Sequence, residues 1–144
     1  MKKYMVNDVL LNKISIIENC LERVREVYNN NPDTLKDYTK QDSIVLNIQR
    51  AVEATIDIAM FLVAKKRLGI PQNSRDAFEA LHKNCIIDDM MLAKIKPMIG
   101  FRYIAVHNYQ KLNLEILQKV VENHLEDFEG FIQLIYGMSN NNDE

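Results

Sequence analysis

The chain has 144 residues, 47% of them hydrophobic and 26% charged, which suits one globular domain large enough to bury a core. Four glycines and three prolines supply too few turns for an all-β fold. A net charge of −2 argues against a surface coated in basic residues for general nucleic-acid binding, while leaving room for a small basic cleft, because phosphate contacts are local.

Val6, Leu10, Ile14, Ile17, Leu21, Val24 and Tyr28 step by three or four residues and predict a first amphipathic helix. Asn29, Asn30, Asn31 and Pro32 stop it, since asparagine favours turns and proline cannot continue a helix. Thr39, with Asp42 after it, resembles a capping arrangement for a second helix. The stripe Ile44, Ile48, Val52, Thr55, Ala59 and Leu62, widened by Val45, Ala51, Ile56 and Val63, is broad enough for a central helix touched on several sides. Gly69 and Pro71 mark its end. The cluster Lys65-Lys66-Arg67 reads as a solvated helix end, with steering of RNA or an acidic partner as the other reading.

Ser74 offers a cap for a third helix that turns Ala77, Phe78 and Leu81 inward and stops near Asn84. A fourth helix should begin at Asp88 or Asp89, where a carboxylate meets the positive end of the dipole, and Pro97 and Gly100 predict a kink or restart within it. Asn113 can cap a last helix along Leu117, Val120 or Val121, His124 or Leu125, Phe128, Ile132 and Ile135. No window alternates strictly enough for a strand. The prediction is an all-α, antiparallel bundle of four or five helices in one domain, residues 1–138, with a disordered polar tail at 139–144.

Cys20 and Cys85 lie far apart, match no metal-ligand spacing and read as reduced thiols. Met1 to Met5 carries two lysines, but Asn7 and Asp8 follow where a signal peptide would be apolar. The longest apolar run, Ile58 to Ala64, is too short to cross a bilayer. These features predict a cytoplasmic protein with no membrane partner. Walker, dinucleotide, zinc-helix and nucleophile-elbow motifs are all missing, so no cofactor or metal is expected.

Chemistry concentrates in Gly100-Phe101-Arg102-Tyr103-Ile104-Ala105-Val106-His107-Asn108-Tyr109. On a regular helix at about 100° per residue Arg102 and Tyr109 share a line, while His107 sits roughly 140° from Arg102. The two would converge through long side-chain reach, an unwound helix end near His107, or a second copy across a two-fold axis. A histidine can take a proton from a ribose 2′-hydroxyl or give one to a leaving oxygen. An arginine can grip the scissile phosphate. Such a pair suffices to cut RNA without a metal, and DNA, lacking the 2′-hydroxyl, would not be a substrate. Arginine and histidine near a helix C-terminus also serve as dipole and capping partners, so spacing alone leaves both readings open. His82 and His124 read as structural or surface residues.

The order Arg102-x4-His107-x-Tyr109 resembles the signature of HEPN-domain ribonucleases, and more narrowly of HepT-like toxins. Met98 to Arg102, Ile48 to Asp57, and Pro71 with Arg75 to Leu81 are similar to other family segments, so the resemblance covers nearly the whole chain. It implies a homodimeric, metal-independent endoribonuclease toxin in which Arg102 and His107 are catalytic. It further implies a minimal nucleotidyltransferase antitoxin that transfers AMP to Tyr109. Tyr103 stands where the family commonly has asparagine, and Asn108 lies near enough to support the site; both are candidate supporting residues. The competing reading is a non-catalytic module that binds the nucleotidyltransferase.

Overall fold

A computed structural model describes the backbone of residues 2–141 and the side chains of residues 8–138. The elements are α1 (Lys2–Tyr28), a 3-10 turn (Pro32–Lys36), α2 (Tyr38–Lys65), α3 (Ser74–Lys83), α4 (Asp89–His107), a second 3-10 turn (Tyr109–Lys111), α5 (Leu114–Lys119), a π turn (Val120–His124) and α6 (Leu125–Asn141). The described residues contain no strand, and none of their helices is long and apolar enough to cross a membrane. Val6 and the tail expected from Ser139 onward have side chains outside the described residues; the backbone of α6 runs to Asn141.

Long-range polar contacts fix the helix directions. Lys13 reaches Asp57, Arg25 reaches Glu129, and Tyr28 reaches Glu122. The α1 pairings fall in sequence number on α6 as they rise on α1, so the two run antiparallel. Likewise His82–Asp89 and Glu79–Lys96 set α3 against α4. Arg102–Glu53 and Tyr109–Asp42 set α4 and the turn after it antiparallel to α2. The predicted antiparallel all-α bundle is the observed fold.

Helix α2 is the central element. It packs along α1 and also touches α3 and α4. Ile44, Ile48, Ala51, Val52, Ile58 and Ala59 are all buried, more than one face can hold, as the wide stripe predicted. Phe78 and Phe131 meet edge-to-face at 6.1 Å between ring centroids, bringing α3 onto α6. Burying each such ring stabilises the fold by about 1.5–3 kcal/mol. In the last helix the π turn settles the register left open by the sequence: Val121 and Leu125 go inward, while His124 stays outside.

Helix ends depart from the sequence reading in instructive ways. Asp37, not Thr39, caps α2 by accepting from the Lys40 N–H, and Asn73, not Ser74, caps α3 by accepting from the Asp76 N–H. In each case the residue with extended backbone before the first turn wins, because only its side chain faces the free N–H groups. Helix α2 stops at Lys65, earlier than Gly69 suggested, with Arg67 taking the left-handed conformation at φ 56°. Its closure, Leu68 N–H to the Val63 carbonyl at 2.9 Å, is a six-to-one bond. Cys85, at φ 61°, closes α3 the same way through Ile86 and Leu81.

Helix α4 shows no restart: it runs unbroken through Pro97 and Gly100. Proline removes the N–H that would bond the Ala93 carbonyl, but Ala93 and Pro97 are both exposed, so water satisfies that group. The cap assignment makes a clear prediction. Asn73→Ala lowers unfolding free energy by about 1 kcal/mol, while Ser74→Ala changes it by under about 0.5 kcal/mol, as read by urea denaturation. The reverse order would return the cap to Ser74.

Candidate functional site

The end of α4 carries the motif, and α2 supplies its anchors. Arg102 is half-buried, and its Nε donates to Glu53 Oε2 at 3.3 Å. The Gln49 amide donates to the same carboxylate oxygen at 3.4 Å, which fixes where that oxygen stands. Among the described residues the terminal guanidinium nitrogens have no other partner, so their donors stay available to an incoming anion.

One turn further on, His107 ends the helix, exposed, with its ring stacked on Tyr103 at 4.4 Å between centroids and 40° between planes. Tyr103 is 63% exposed, and Ile104 and Val106 beside it are also exposed. Asn108, with φ −154° and ψ 57°, leaves helical geometry while its N–H still bonds the Ile104 carbonyl at 2.8 Å. It therefore turns the chain, and its carbonyl accepts from the Lys111 N–H at 3.0 Å to start the 3-10 turn.

That turn overturns the expectation that Arg102 and Tyr109 share one helical line. Tyr109 lies past the helix end, and its hydroxyl swings to the start of α2, donating to Asp42 Oδ1 at 2.5 Å with the Gln41 amide oxygen at 3.5 Å. Burial first, and then the Asp42 carboxylate, push the Tyr109 phenol above its ordinary value, so it is held protonated. Among the described residues no hydrogen bond joins Arg102 to His107: a single chain brings Arg102 to Glu53, His107 to Tyr103 and Tyr109 to Asp42.

Asp42 and Glu53 escaped the sequence reading as site partners. Asp42 passed for a capping residue, and Glu53 stood inside a helix pattern without being singled out. The signal for Glu53 was a carboxylate flanked by Val52 and Ala54 on a helix broad enough to be packed on several sides. Such a charge needs a partner. Asp42 gave no such signal, because its partner arrives by tertiary packing. His82 and His124 sit away from this constellation, each paired with a carboxylate, Asp89 at 2.5 Å and Asp127 at 3.0 Å. Cys20 is buried and Cys85 exposed, both unbridged.

The ribonuclease HepT-like family model matches residues 17–135. The chain belongs to that family. A relative, the mRNA nuclease HepT of Shewanella oneidensis, is 48% identical over 130 residues that cover 90% of this chain and 98% of the relative. The tri-AMPylated Shewanella oneidensis HEPN toxin, in complex with the MNT antitoxin, is 47% identical with a TM-score of 0.87, over 91% of this chain and 98% of that one. A toxin–antitoxin crystal structure with AMP-PNP aligns at the same TM-score of 0.87 and 46% identity, over 91% and 99%. Both structures share the fold across nearly its full length, and both are toxin–antitoxin assemblies by description.

The raised Tyr109 phenol carries a pH prediction. In a spectrophotometric titration its phenolate forms only well above the ordinary value of about 10, and Tyr109→Phe removes that late step. Asp42→Asn brings the step down, because an amide lacks the charge that repels the phenolate. With the folded value above the unfolded one, the contact's stability is fully present below about pH 10 and is lost as pH rises through the folded value. A late step unchanged by Asp42→Asn would remove Asp42 as a cause.

Proposed function

We propose that the protein is a metal-independent endoribonuclease toxin, neutralised by a minimal nucleotidyltransferase antitoxin through AMP transfer to Tyr109. Membership of the ribonuclease HepT-like family supports the activity class, and the relatives' assemblies with an antitoxin support the partner. The observation that carries the site reading is the end of α4. It offers an exposed imidazole, an arginine with unengaged donors a little over one turn away, and a tyrosine hydroxyl directly behind them.

The reaction is internal transfer. The ribose 2′-oxygen attacks the adjacent phosphorus, the bond to the 5′-oxygen breaks, and a 2′,3′-cyclic phosphate and a 5′-hydroxyl result. His107 takes the 2′-hydroxyl proton or returns one to the leaving 5′-oxygen. Arg102 binds the non-bridging oxygens and stabilises the charge that grows on them. Glu53 holds the guanidinium by Nε, which leaves the terminal fork facing outward for bidentate grip. Tyr103 supports the His107 ring by stacking, and Asn108 supports it by ending the helix where it does.

A homodimer completes the site. The apolar run Tyr103, Ile104 and Val106 is exposed on the helix that bears the motif, which is where a second copy would bury it. Two imidazoles then flank one cleft, one available as base and the other as acid. RNA, with its 2′-hydroxyl, is the substrate; DNA is not. The work lies in the cytoplasm, where that substrate is.

Unmodified protein, its mass checked, cuts RNA in EDTA to fragments with cyclic-phosphate ends. His107→Ala lowers the rate by at least about a hundredfold, and Arg102→Ala by about 10²–10³. RNA cut equally well by His107→Ala sinks the assignment.

A further inference from the structure

The Tyr109 hydroxyl has a defined environment before any partner arrives. Among the described residues two acceptors lie within its reach, Asp42 Oδ1 at 2.5 Å and Gln41 Oε1 at 3.5 Å. Phosphoryl transfer to a phenol requires that its proton leave. The neutral phenol is a weak nucleophile, and burial beside a carboxylate keeps this one neutral. Gln41 is buried, and an amide oxygen is too weak a base to take the proton. Asp42 is a carboxylate, exposed, already aligned on the hydroxyl and open to water behind.

We propose that Asp42 is the residue that positions Tyr109 and accepts its proton when the tyrosine is nucleotidylated. The inference rests on Tyr109 being the AMP acceptor. Tyr109 Oη attacks the α-phosphorus of ATP. The Oη–P bond forms, the bond from that phosphorus to the oxygen of the β-phosphate breaks, and pyrophosphate leaves with the electron pair. The proton passes to Asp42 Oδ1 and from there to water. The toxin thus supplies the base for its own modification, and the nucleotidyltransferase need only present the nucleotide.

The same geometry explains why the step does not reverse readily at this residue. Once esterified, Oη can no longer donate, and the attached phosphodiester brings a negative charge beside a carboxylate that has returned to its anionic form. The hydrogen bond that tied the turn Tyr109–Lys111 to the start of α2 is then replaced by repulsion. The modified side chain has to leave Asp42.

Asp42 acts on one oxygen only. A phenol oxygen forms a single ester, so where several adenylates are added, as in the tri-AMPylated relative, only the first can be made on Oη. Loss of Asp42 therefore slows the first addition and leaves later ones alone, a split that a general docking defect would not produce.

The test follows AMP incorporation by intact mass, using the full chain, its nucleotidyltransferase partner and ATP. Asp42→Asn keeps an acceptor oxygen in place but takes no proton; it slows the first addition about a hundredfold, with later additions at the normal rate. Asp42→Glu, which retains a carboxylate, keeps more of the rate than Asp42→Asn. First additions at the wild-type rate in Asp42→Asn, with the circular dichroism of the folded protein, overturn the proposal, and so does equal loss in Asn and Glu. Tyr109→Phe separates the two readings. If it still takes up AMP, the acceptor assignment falls; if it takes up none while Asp42→Asn behaves as wild type, only the role of Asp42 falls.

Discussion

Helix α2 has to be buried on several sides and yet carry polar side chains, and the motif is arranged around that constraint. Its apolar positions hold α1, α3 and α4 together, so nothing else in the bundle keeps its place without it. Its polar positions meet partners that approach along the same contacts: Glu53 meets Arg102, and Asp42 meets Tyr109. Eleven residues apart on a helix rising about 1.5 Å per residue, these two anchors are about 16 Å apart. They fix both ends of the motif on one rigid rod. His107 lies between them in sequence with no such anchor, held by Tyr103 alone. The reactive imidazole is thus the least constrained member of a well-constrained set.

The connection after α4 follows from the same economy. Continuing the helix past His107 would carry Tyr109 around to the Arg102 side. The break at Asn108 instead lets the chain fold back toward the start of α2. The phenol then satisfies the exposed Asp42 carboxylate and stays half-buried against Gln41. A tyrosine hydroxyl held this way is protonated, oriented and still reachable, which is what a modification acceptor requires.

Most of the fold could be read from periodicity, because a helix that buries one stripe advertises it in its own sequence. The inward faces of α1, α2 and α3 were legible for that reason, and so was the extra breadth of α2. Helix ends were less legible. Asn73 and Ser74 are both good caps, and only the backbone at the first turn decides between them. Arg67 and Cys85 adopt left-handed geometry without being glycine, since the six-to-one closures that follow them compensate the strain. The motif itself was legible through resemblance, but its partners were not. Asp42 and Glu53 lie 67 and 49 residues from the groups they hold, and no local pattern encodes such a pairing.

The separation between core and site has a consequence for reading mutants of this chain. The large buried side chains, Phe78, Phe128 and Phe131 among them, lie in the packed interior, where truncation costs about 3–5 kcal/mol. Arg102 and Glu53 are partly exposed, and an ion pair of that kind contributes under about 1 kcal/mol. His107 and Tyr103 are exposed and lose little packing when cut back. Changes at the motif therefore act on chemistry with the bundle intact, and a loss of activity at these positions cannot be blamed on unfolding. Tyr109 is the exception, because its hydroxyl both anchors the turn and accepts the modification; at that one residue structure and regulation share an atom.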